Sequence, residues 1–140
     1  MNVTELLIDL AAGINAIIRT AASKFNLTTS QAFHLFSIPF DGIPMSALAL
    51  KLGLDNSTLT RNIQKLEKLA LVNRTTCPYD KRVQLIVLTP KGSDLINSLE
   101  AHLLDQNNHI MEHIDLDTQL NLSTVLEKLC WALDCIRGKP

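Results

Sequence analysis

Two short amphipathic segments only three residues apart constrain this chain more than any other feature. In the first, Met45, Leu48, Ala49 and Leu52 share one helical face, and Pro44 suits its first turn. In the second, Leu59, Ile63, Leu66 and Ala70 recur at spacings of four, three and four, which predicts a buried stripe. Gly53 closes the first helix, and Asp55 is placed to N-cap the second, with Leu54 and Leu59 as its hydrophobic staple. Two helices joined by a tight glycine-containing turn, the second polar on its outer side, make the pattern of a helix-turn-helix.

The hydrophobic period changes at Leu71. Val72–Thr76 and Val83–Leu88 are β-branched, strand-like runs around Cys77–Pro78–Tyr79–Asp80–Lys81–Arg82, which predicts a short antiparallel hairpin with Pro78 in or near its turn. Elsewhere the spacing is helical. Leu6, Leu7, Leu10, Ile14, Ile17, Ile18 and Ala21 predict a helix from Val3 to Phe25, closed by Asn26. Thr28, Thr29 or Ser30 caps a short helix through Phe33 and Phe36. After Thr89–Pro90 a long helix runs to Ile114, and Asp117 or Thr118 caps a last one through Leu122, Val125, Leu126, Leu129, Leu133 and Ile136. The expected fold is mainly α with a small β-hairpin wing, a single domain over 1–140 with its winged helix-turn-helix core at 27–92.

With Leu59, Ile63 and Leu66 buried, the other face of the Asp55–Leu69 helix carries Ser57, Thr58, Arg61, Gln64, Lys65 and Lys68. Arg can address guanine bidentately and Gln adenine, while hydroxyls and Lys suit phosphates. The chain's net charge of −1 hides a segregation that fits such a face. Residues 51–91 hold eight basic residues against three acidic ones, and residues 92–136 hold Lys128 alone against eight acidic ones. A basic working surface on an acidic body follows. In the hairpin loop, Asp80 stands two positions before Arg82, where a carboxylate can fix the direction of a guanidinium. A basic ribbon beside a groove-reading helix can reach a minor groove.

The run from Pro44 through Ser57-Thr-Leu-Thr-Arg61 to Val72, followed by Arg74, Asp80-Lys-Arg82 and Leu88-Thr-Pro-Lys-Gly92, resembles the MarR (multiple antibiotic resistance regulator) family. That resemblance implies a sequence-specific, ligand-responsive homodimeric repressor of transcription, with double-stranded DNA and a second copy of itself as partners. Ser57, Thr58, Thr60, Arg61, Gln64 and Lys65 would enter the major groove, and Arg82, braced by Asp80, would be the wing contact. Ser46, Arg74 and Lys81 complete the implied DNA-binding set. Helices at 1–26 and 93–140 would intertwine with a partner, with Leu6, Leu10, Leu126, Leu129, Leu133 and Ile136 in the dimer interface. Two-fold symmetry then implies a pseudo-palindromic operator with half-sites about one helical turn apart. The chain departs from the family at the end of the second helix, where Ala70 stands in place of the usual Gly. Ala tolerates a left-handed cap poorly, so that helix is expected to close differently or to run a residue longer.

The effector stays open. Oxidant-sensing members carry a thiol in the first helical region, and no Cys here precedes Cys77 at the wing. Cys130 and Cys135 stand about 140° apart on a helix, do not share a face, and are expected to pack in the dimer core. A metal-responsive regulator is an alternative: His102, Asp105, His109 and His113 share one helical face, but would need further ligands from the helix holding His34. A small molecule could lie near Phe33, Phe36, Phe40 and Trp131, aromatics that also read as ordinary core. A winged-helix protein–protein adaptor without DNA binding is the alternative of another class, and Arg61, Lys65 and Arg82 argue against it. No cofactor and no catalysis are expected, since there is no Gly-rich phosphate loop and no nucleophile–base set. No run reaches about 18 uninterrupted apolar residues, and Glu5 and Asp9 stand where a targeting signal would be basic, so the expected location is cytoplasmic, without a membrane partner.

Overall fold

The computed structural model describes residues 1–138. Its elements in order are α1 (Val3–Ser23), α2 (Thr29–Phe36), β1 (Ile43–Pro44), α3 (Met45–Leu52), α4 (Asn56–Lys68), β2 (Val72–Thr76), β3 (Gln84–Leu88), α5 (Pro90–Met111) and α6 (Leu116–Ile136). They fall into two compact units, Met1–Leu103 and Leu104–Pro140.

The first unit is built on the apolar stripes. Leu59, Ile63 and Leu66 of α4 are fully buried with Leu35 of α2, Leu48 of α3, Ile86 of β3 and Leu99 of α5. Ala70, placed on that stripe by its spacing, is exposed instead. It has left the helix, with φ 59°. The N–H of Ala70 bonds the carbonyl of Glu67, and that of Leu71 the carbonyl of Leu66, the paired bonds of a Schellman close. Gly53 (φ 68°) and Asn26 (φ 57°) close their helices with the same pair of bonds. Ala70 therefore occupies a left-handed position that disfavours a Cβ, and the helix does not run on past it.

The sheet has three strands in the order β1-β3-β2, all antiparallel. The sequence showed a two-stranded hairpin only. Residues 43 and 44 are too short a run to carry a period-two signal, and they pair because Gly42, at φ 87°, turns the chain onto β3. Pro44 is consequently both the last residue of β1 and the N-cap of α3, rather than part of its first turn.

Gly92 makes the closest approach. A Cβ there would stand inside contact distance of the Leu71 carbonyl oxygen, so only glycine lets α5 start where it does. Thr89 supports the same junction. Its hydroxyl donates to the Ala70 carbonyl and accepts from the Gly92 N–H, while Lys91 Nζ donates to the Leu69 carbonyl at 3.0 Å.

In the second unit, α5 ends at Met111, three residues before the expected end. The cap of α6 is Asp115 and not Asp117 or Thr118. Its carboxylate accepts from the Thr118 N–H at 2.9 Å and from the Thr118 hydroxyl at 2.7 Å. Gln119 Nε2 donates to the carbonyls of Met111 and Ile114 and so satisfies the frayed end of α5. Cys130, Cys135 and Trp131 are exposed in this chain, and Phe40 in the first unit is wholly exposed. α1 contains an 18-residue window of mean hydropathy 1.4, long and apolar enough to cross a bilayer by those two measures alone, although Glu5, Asp9 and Arg19 interrupt the apolar run of the helix.

Candidate nucleic-acid interface

The N-terminus of α4 is organised by one carboxylate. Asp55 Oδ1 accepts from the Thr58 N–H and from the Ser57 hydroxyl, both at 2.7 Å, and Oδ2 accepts from the Thr58 hydroxyl at 3.0 Å. These bonds, the Thr58 N–H first among them, bring the Asp55 pKa down from 3.8 to about 2. The protons of Ser57 and Thr58 are thus turned onto Asp55. Thr60 likewise spends its hydroxyl on the Asn56 carbonyl at 2.8 Å. Arg61 Nη2 reaches the Thr58 hydroxyl at 3.5 Å, while Gln64 and Lys65 lie exposed further along the same helix. Expected as donors to phosphate, the hydroxyls here form a network that holds the first turn and leans on Arg61.

The wing presents its cation as the sequence indicated. Arg82 Nε and Nη2 bond the two oxygens of Asp80 at 3.1 and 3.2 Å, and its N–H bonds Oδ1 at 3.0 Å. The Arg82 side chain nonetheless remains 91% exposed. The guanidinium bonds first, and then the Arg82 N–H, keep Asp80 below the ordinary carboxylate pKa. Ser46 from α3, Asn56 from α4, and Lys81, Arg82 and Gln84 from the wing line one open groove of about 500 Å³. The helix pair and the wing therefore contribute to a single surface.

Arg74 faces elsewhere. Its Nε sits 2.7 Å from Glu67 Oε1 on α4, with the side chain 24% exposed, so its first partner is the helix itself. Sequence reasoning passed over Tyr79, which is 97% exposed at the wing tip, and the pair His34 and Asn62, which joins α2 to α4. An aromatic in a turn was the available signal for Tyr79. For a contact across 28 residues there was none.

The metal reading finds no support in the geometry. Among the described residues no group of three or more His, Cys, Asp or Glu is placed to hold an ion. His109 lies 3.9 Å from Asp105 and 3.6 Å from Glu112, and no set of ligands assembles around it, His102 and His113. His34 is buried among other partners. Leu6 and Leu10 of α1, and Leu126, Leu129, Leu133 and Ile136 of α6, are all exposed.

Comparison with known proteins agrees with this construction. The model of the MarR family matches residues 27–83. Among solved structures, the apo form of MarR from E. coli superposes with a TM-score of 0.78 at 23% identity, covering 92% of this chain and 96% of that one. MepR from S. aureus, solved as a DNA complex, gives 0.74 at 17% identity over 94% and 98% of the two chains. CouR from Rhodococcus jostii RHA1, bound to p-coumaroyl-CoA, gives 0.73 at 22% identity over 97% and 91%. Residues 27–83 thus match the MarR family model, and the chain has the fold of solved structures of that family's regulators.

Proposed function

We propose that the chain is a sequence-specific DNA-binding regulator, without catalytic activity, that acts in the cytoplasm as a homodimeric repressor released by a ligand. The observation that carries this reading is the groove shared by α3, the start of α4 and the wing, where Ser46 and Asn56 meet Lys81 and an Asp80-braced Arg82, with the Arg61–Thr58–Asp55 network on the same helix as Asn56. In it Arg61, Gln64 and Lys65 address the major groove, and Arg82 and Lys81 the neighbouring backbone or minor groove. Ser46, Ser57, Thr58 and Thr60 set the approach, and Arg74 steadies α4 through Glu67. MepR, of like fold, was solved with DNA, and CouR with p-coumaroyl-CoA, which supports DNA and a small organic effector as partners.

The dimer belongs to the same proposal. Leu6 and Leu10 are 50% and 48% exposed, Leu133 54% and Ile136 83%, an apolar cost that a second copy would remove. The domain is then a single one, with its core at 27–92 and dimerisation helices at 1–26 and 93–140.

Fluorescence anisotropy across a salt series tests this, using DNA from upstream of the chain's own gene against a shuffled duplex. Tight, selective binding with a steep salt slope supports it, because a dimer neutralises several phosphates. Weak binding, equal on both duplexes, would replace it with the protein–protein adaptor.

A further inference from the structure

His34 is a buried polar group that the surface just described does not use. Only 3% of it is exposed, on α2, yet both ring nitrogens are engaged. Nδ1 lies 2.6 Å from the Ser30 carbonyl, which can only accept, so Nδ1 carries the proton. Nε2, 3.1 Å from Asn62 Nδ2, is then the acceptor of an amide N–H from α4. One neutral tautomer satisfies both contacts.

We infer that His34 is a positioning residue for α4, fixing through Asn62 the rotation of that helix about its own axis. This rests on the DNA-binding reading above. Apart from the Glu67–Arg74 ion pair in its last turn, α4 is attached to the core by the stripe Leu59, Ile63 and Leu66, and apolar burial is non-directional: it holds the helix down without choosing among small rotations. A hydrogen bond to a ring itself pinned to Ser30 does choose. Asn62 is the residue next to Arg61 and two before Gln64, on the shoulder between the buried stripe and the groove face, where a small rotation moves every reading side chain at once. A leucine at 34 would fill this part of the core without desolvating two nitrogens. A pair of apolar residues in place of a bonded polar pair is commonly neutral or stabilising. The histidine therefore serves orientation ahead of stability.

The experiment separates the two. An operator is selected from random duplexes with the wild-type chain, and its affinity is compared with each single base-pair variant, for wild type and for His34→Leu/Asn62→Leu. The double variant is expected to melt at or above the wild-type temperature, while its discrimination falls about tenfold, spread over the base pairs that Arg61 and Gln64 face. Should the double variant fail to fold, Asn62→Ala, at a half-buried position, is expected to show the same spread loss. Unchanged discrimination in a folded variant would overturn the inference, as would a loss confined to one base pair, which makes Asn62 a direct reader. A wild-type chain that enriches no sequence overturns the DNA-binding reading itself, and this inference with it.

Discussion

The hydroxyl of Thr89 donates to the carbonyl of Ala70 at 2.6 Å, and so ties the first residues of α5 to the residue that ends α4. That bond, with Lys91 on Leu69 and Gly92 against Leu71, holds an alanine in a conformation its Cβ opposes.

Ala70→Gly should therefore stabilise the fold, by about 1 kcal/mol, since it removes the left-handed cost at an exposed position. Denaturant unfolding monitored by circular dichroism checks the sign. A destabilised Gly variant would mean that unfolded-chain entropy outweighs the strain.

Gly92→Ala should do the opposite, costing roughly 2–3 kcal/mol, because the added methyl collides with a backbone carbonyl that cannot swing aside. The same unfolding measurement gives the value. A change under about 0.5 kcal/mol would show that the β2–α5 junction yields easily.

Arg82→Ala should weaken operator binding by about 1–2 kcal/mol and hardly alter folding, since the guanidinium is almost wholly exposed and its ion pair lies at the surface. Anisotropy titrations together with thermal melts read the two separately. Undiminished affinity would take the wing out of the interface.

Leu133→Asp should split the proposed dimer, raising its dissociation constant by at least ~30-fold. Light scattering on a sizing column reports the mass. A variant still dimeric at low micromolar concentration would place the interface away from α6.

Acid should loosen the helix caps in a defined window. Asp55, Asp80 and Asp115 are all held below the ordinary 3.8, by hydrogen bonds to Thr58 and Ser57, to Arg82 and to Thr118 respectively. A depressed folded-state pKa contributes stability that is fully present above the unfolded value and is lost as pH falls through the folded one. For Asp55 the window runs from 3.8 down to about 2. The stability difference between wild type and Asp55→Asn should be constant above about pH 5 and shrink towards pH 2. A difference that grows on acidification would contradict the cap geometry.

Much of this was legible in the residues. The stripe Leu59–Ile63–Leu66, the Asp55 cap and the Asp80–Arg82 pair are local, set by spacings of two to four, and the structure holds each of them. What escaped was non-local or depended on competition. β1 exists because β3 offers it an edge, and His34 meets Asn62 only once α2 and α4 are packed. The hydroxyls of Ser57 and Thr58 could face a phosphate or a carboxylate, and nothing in the order of residues says that Asp55 takes both. At Ala70, propensity was overruled by the three tethers from residues 89–92. Asp115 displaced Asp117 as the last cap because Thr118, three residues on, returns two bonds to it.

The central place of β3 bears on how such a surface lets go of its target. Its one edge carries Ile43–Pro44, which leads directly into α3, and its other edge carries β2, which leads out of α4. Wing and helix pair are thus laced through a common strand, with no slack between them for one to lift while the other stays seated. If the surface holds DNA as proposed, anything that unseats the helices would peel the wing away in the same stroke, so its release would be all-or-none.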